Sequence, residues 1–111
     1  MNVLGLPVVA WGVFLAAALL EVGGDATIRR GLRGGGVPWI AAGCVMLAAY
    51  GLVVNLVKWD FSRLLGVYVA VFAVVSVLFG LWVFRETVPP STWVGLAVIV
   101  LGAGIIQFGP R

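Results

Sequence analysis

Two of the chain's four carboxylates, Glu21 and Asp25, lie inside a long apolar run. Charge at that depth is costly, and intramembrane acids are functional by default. A carboxylate in such surroundings can hold a proton or a cation, but hardly both. That competition is enough to exchange protons for a charged substrate. The residues one helical turn from Glu21 are small: Ala17, Ala18 and Gly24. They leave room for a ligand or for a close helix. Asp25 follows Glu21 by four residues, and Arg29 follows Asp25 by four, which makes a polar stripe on one helix face. Asp25 has two readings. It pairs with Arg29 where the helix leaves the lipid, or it is a second proton or cation site.

Other side chains are candidates to surround such an acid. Tyr50 stands in the middle of the second apolar run, and its hydroxyl needs a partner when buried. Tyr68, Phe72, Ser76 and Phe79 form a stripe in the third run. Aromatic faces beside an acid suit an organic cation. The same stripe also fits a packing or lipid-facing surface. Gly66, Ala70, Ala73 and Gly80 form a small-residue face in that run, and Gly95, Gly102 and Gly104 recur in the fourth. Small residues let membrane helices approach closely. Glu86, next to Arg85, reads as half of a solvated ion pair. Arg29, Arg30 and Arg33 read as an interfacial cluster, with an anionic headgroup or phosphate as the alternative ligand.

Much chemistry is excluded. The chain has no His, and Cys44 is its single cysteine, so intramolecular disulfides and Cys-cluster metal sites are ruled out. No nucleotide loop, nucleophile triad or metal-ligand spacing is present. Neither enzymatic activity, a cofactor nor a bound metal is expected. The net charge of +3 comes from basic residues spread over the ends of apolar runs, a placement for lipid headgroups rather than nucleic acid.

The elements that position these residues follow from composition. The chain has 111 residues, 63% hydrophobic and 10% charged, with a mean hydropathy of +1.20. Soluble domains carry about 25% charged residues. The runs are apolar all round, without the alternation of a membrane β-barrel. An all-α membrane protein is expected, with four transmembrane helices and short loops in one domain. The helices are placed at about 6–29, 37–57, 62–84 and 91–108. Pro7 and Pro38 suit helix starts, Ser62 and Ser91 or Thr92 suit caps, and Trp39 and Trp93 suit interfaces. Residues 29–36 read as a flexible basic loop, and Val88-Pro89-Pro90 as a forced turn. The first run lacks a basic n-region and a clean cleavage site, so it reads as a retained helix and not a signal peptide.

Four spans put Lys58, Arg63 and Arg111 on one side and Arg29, Arg30, Arg33 and Arg85 on the other. Three against four gives the positive-inside rule nothing to act on. A chain without that bias can insert both ways and form an antiparallel dimer of inverted copies.

Two stretches then carry a resemblance. Leu20-Glu21-Val22-Gly23-Gly24-Asp25-Ala26-Thr27 is similar to the first helix of the small multidrug resistance transporters, within the drug/metabolite transporter superfamily. Phe84-Arg85-Glu86-Thr87-Val88-Pro89-Pro90, then Trp93-Val94-Gly95-Leu96 and the glycine-rich run at 99–106, resembles that family's loop into a dimerising fourth helix. The resemblance implies an antiparallel homodimer of dual topology in a bacterial-type inner (plasma) membrane. It implies Glu21 of each subunit facing one chamber, Tyr50 and Tyr68 as walls, and proton-coupled export of a small organic cation by alternating access. Gly95, Gly102 and Gly104 would pack the dimer. The third helix departs from the family pattern, since no Trp follows shortly after Tyr68 and no closely spaced glycines lie beyond it. The resemblance therefore assigns a transport frame more firmly than a drug substrate. Residues 82–95 also resemble relatives that flip lipid-linked sugars. A flippase subunit for an anionic lipid and a non-transporting assembly factor are the alternatives.

Overall fold

Apolar runs of about 20 residues leave the backbone only one way to satisfy its polar groups in lipid, the α-helix. The computed structural model describes residues 7–110. The helix start expected at Leu6 and the basic terminus Arg111 lie outside the described residues. The protein is all-helical, and among the described residues four helices are long and apolar enough to cross a membrane.

Helix α1 (Pro7–Arg30) opens on Pro7 and ends with Arg29 and Arg30 in its last turn, where cations meet the negative helix end. Its 24 residues rise about 36 Å. Gly31–Gly35 follows α1 as a kinked turn in which Arg33 and Gly34 leave helical backbone angles, and the Gly36 N–H donates to the Gly31 carbonyl at 3.0 Å. Gly34 at φ +113° and Gly36 at φ +90° supply backbone angles that side chains resist.

Helix α2 (Val37–Val54) stops three residues short of the expected 57. The Asn55 amide turns back and donates to the Gly51 carbonyl at 2.8 Å, while Leu56 N–H bonds Val53 at 3.1 Å. That local competition tightens the chain into a turn before the apolar residues run out.

Helix α3 (Phe61–Trp82) has Asp60 in the capping position, so Ser62 lies inside the helix and does not cap it. It ends two residues before the expected 84, where Phe84 N–H reaches back to the Phe79 carbonyl at 3.1 Å. Helix α4 (Pro90–Phe108) begins on Pro90 with Pro89 in the capping position. Neither Ser91 nor Thr92 caps it, because the prolines already fix the entry angle.

The chain divides into two compact units, one of α1 with α2 and one of α3 with α4. In the first, the helices meet at glycines. A Cβ at Gly43 would lie 2.7 Å from the Gly24 carbonyl oxygen and 2.9 Å from the Ile28 nitrogen. One at Gly24 would lie 3.0 Å from the Gly43 carbonyl oxygen. Backbone meets backbone, the arrangement that small residues permit. In the second unit, Ile106 of α4 packs over Gly66 of α3. The Arg63 guanidinium donates to the Gln107 side-chain oxygen at 2.9 and 3.2 Å and sits 4.0 Å from the Trp59 ring.

Many large apolar side chains face outward, such as Val8, Leu52 and Val98. Four apolar helices with an apolar exterior suit hydrocarbon as solvent.

Candidate functional site

Glu21 stands nine residues before Arg30, about 14 Å along the axis from the charged end of α1. That depth is inside a bilayer's hydrocarbon core of about 30 Å. The residue is half-buried. Tyr50 of α2 lies within electrostatic reach of the Glu21 carboxylate and is also half-buried.

The glycines explain why these two helices come close. Gly24, one turn from Glu21, is covered by Gly43 and Leu47 of α2. Of the two uses proposed for the small residues, Gly24 serves the close helix. Gly23 faces the Met46 methyl. Thr27 bonds within this contact: its hydroxyl lies 2.7 Å from the Gly23 carbonyl and 3.7 Å from the Met46 sulfur. Ala17 and Ala18 are fully buried. Phe14, two turns before Glu21, is also fully buried and meets Trp11 edge-on at 5.9 Å. Asp25 stands exposed on the same helix, with Arg29 exposed one turn further on.

The other candidates fall in the second unit. Tyr68 and Phe72 of α3 stack with ring centroids 6.4 Å apart and planes 22° off parallel. Tyr68 is 3% exposed and Phe72 is half-buried. Ser76, grouped with them on the stripe, donates its hydroxyl to the Ala73 carbonyl at 2.8 Å. On α4, a Cβ added to Gly95, Gly102 or Gly104 would meet nothing within 4 Å. These three glycines do not pack within the described subunit, and Ala103 is the one buried residue of α4.

In the arginine cluster, Arg30 lies over the Trp39 ring at 4.1 Å.

Sequence reasoning passed over Gly43, Met46 and Gln107. Gly43 and Met46 matter only through partners on α1, 19 residues earlier in each relevant pair, Gly24–Gly43 and Thr27–Met46. The Trp59–Arg63 stack did have a signal, a spacing of four residues across a helix start.

Four spans with a carboxylate held at depth in one of them define a small multi-pass membrane protein. The chain belongs to the bacterial family described as "Uncharacterised BCR, YnfA/UPF0060 family", which residues 8–111 match. It is 37% identical over 103 residues to a UPF0060 membrane protein of Mycolicibacterium vanbaalenii, spanning 89% of this chain and 94% of the relative. It is 33% identical over 106 residues to UPF0060 membrane protein BH2744 of Halalkalibacterium halodurans, spanning 94% and 98%. It is 34% identical over 105 residues to UPF0060 membrane protein YfjF of Bacillus subtilis, spanning 89% and 93%. No solved structure matches the chain.

Proposed function

We propose that the protein is a proton-coupled transporter that exports a small organic cation by alternating access. The observation that carries this reading is Glu21 at hydrocarbon depth in α1, beside the close Gly24–Gly43 contact with α2. Glu21 binds a proton or the substrate in turn. Tyr50 steadies the carboxylate. Asp25, exposed one turn nearer the arginines, is a second proton or cation station.

The working form is an antiparallel homodimer, one four-helix domain per subunit. Three basic residues against four leave insertion unbiased. The open glycines of α4 offer the second copy a surface that lets backbones approach. The resemblance to the small multidrug resistance transporters supports the same arrangement.

The test is transport in proteoliposomes. A proton gradient should drive uptake of a cationic dye by the wild type and not by Glu21→Gln. Full gradient-driven transport by that variant would sink the proposal. Cysteine labelling from each side of the membrane tests dual topology, and a single orientation for every copy would end the antiparallel homodimer.

A further inference from the structure

The turn between α3 and α4 holds a carboxylate that the Glu21 site does not use. Arg85 there takes φ +54°, a left-handed conformation that costs free energy for a residue with a Cβ. Such outliers cluster at ligand clamps and switch regions. The bend has a definite product. It lets the Glu86 N–H donate to the Gly80 carbonyl at 2.9 Å, beside the Phe84 N–H on Phe79 at 3.1 Å. The chain folds back along the last turns of α3, and the Glu86 carboxylate seats directly against Gly80. A Cβ at position 80 would occupy that seat. The Glu86 side chain thus has Gly80 as a neighbour while staying exposed, as its place at a surface turn suggests.

A crevice of about 190 Å³ opens at the seat, lined by Ser76, Glu86, Thr87 and Thr92 with Val88 and Pro89. Glu86, Thr87 and Thr92 are exposed and Ser76 is half-buried, and between them they bring one carboxylate and three hydroxyls to its lining. Oxygen donors of this kind suit hard cations. Ser76 gives its proton to the Ala73 carbonyl at 2.8 Å, which leaves its oxygen as an acceptor. The carboxylate also lies near the C-terminal end of α3, whose dipole is negative. Two like-signed charges side by side call for a positive partner. The facing wall is the first turn of α4, and its positive end offsets part of that demand. The balance fits one positive charge better than two. Arg85 supplies the nearest formal positive charge in sequence, but its side chain is exposed.

The geometry points to a binding site for a monovalent cation, an alkali-metal ion or a small ammonium, with Glu86 as its anionic ligand and the Ser76, Thr87 and Thr92 hydroxyls as neutral ones. The site lies wholly within the α3–α4 unit and does not depend on Glu21.

The experiment is a tryptophan-emission titration of the purified full chain in detergent micelles, where Trp82 and Trp93 flank the turn. Sodium chloride, potassium chloride and methylammonium chloride are the probes. N-methyl-D-glucamine chloride, too bulky for the crevice, matches ionic strength. The expected result is a saturable change with at least one probe, separating a metal-ion site from an ammonium site. Glu86→Gln should weaken the apparent affinity about tenfold or more, the scale of one lost charge-assisted contact. Gly80→Ala should weaken it several-fold by displacing the carboxylate, and Glu21→Gln should leave it unchanged. Gel filtration checks that each variant folds. If Glu86→Gln does not fold, Gly80→Ala and Thr87→Val carry the test. A wild-type response no different from N-methyl-D-glucamine, or variants at this site that titrate like wild type, would overturn the site.

Discussion

In the α1–α2 pair, Gly24 and Gly43 bring two backbones to a separation that no added Cβ would tolerate. In the α3–α4 pair, Gly66 does similar work under Ile106, while Gly95, Gly102 and Gly104 face open space. The first pair is held by close approach. The second also relies on a polar clasp, the Arg63 guanidinium on Gln107 and Trp59. The difference teaches that a run of membrane glycines has no fixed meaning. Its role depends on whether another backbone arrives. Where one does, the glycine is structural and sets how closely α1 and α2 approach. Where none arrives within the subunit, the face is left for something else, and the proposed second copy is what we assign to it.

Several changes would break or sharpen that contrast. The largest effect belongs to the acid in the close-packed pair. Glu21→Gln should abolish proton-driven transport while leaving the fold intact, and Glu21→Asp should retain part of it, both read in proteoliposomes. Next comes the contact that holds the pair. Gly43→Ala should destabilise the protein by about 1–3 kcal/mol, because the added Cβ meets backbone atoms that cannot swing aside. Thermal unfolding in detergent checks this, and an unchanged midpoint would refute the backbone contact.

The open glycines should behave oppositely. Gly102→Leu should leave the stability of the isolated subunit nearly unchanged, yet shift the dimer to monomer in cross-linking or analytical ultracentrifugation. Equal dimer content in both would remove α4 from the interface. The polar clasp should matter less. Gln107→Leu removes the acceptor of two hydrogen bonds from Arg63, and should cost about 1–2 kcal/mol. The smallest effect is expected at Gly12, where an added Cβ meets nothing within 4 Å. Gly12→Ala should stabilise α1 by at most about 1 kcal/mol through reduced backbone entropy in the unfolded chain.

Some of this was legible before any coordinates. The four spans were, because residues that cannot face water must form helices in lipid, and Pro7, Pro38 and Pro89-Pro90 punctuate them. The end of α2 was not. Val57 continues the apolar pattern, and the Asn55 amide wins locally by bonding the Gly51 carbonyl. In the loop at 29–36, only the backbone shows Gly34 and Gly36 at positive φ making a kink that the Gly36 N–H closes onto the Gly31 carbonyl. Glu86 was legible as an exposed residue at a surface turn; its contact with Gly80 was not, because it depends on the left-handed bend at Arg85.

The sequence by itself determined the solvent, the number of spans and the depth of Glu21. Those follow from transfer free energies and helix rise, which are properties of one segment at a time. Only the tertiary structure decided what meets that acid. Gly24 and Gly43 set the approach of α2 to α1 next to Glu21, and the fold-back at Arg85 lays Glu86 against Gly80. Both depend on the register and spacing of paired helices, which come from interlocking side chains on two segments and leave no mark in either alone.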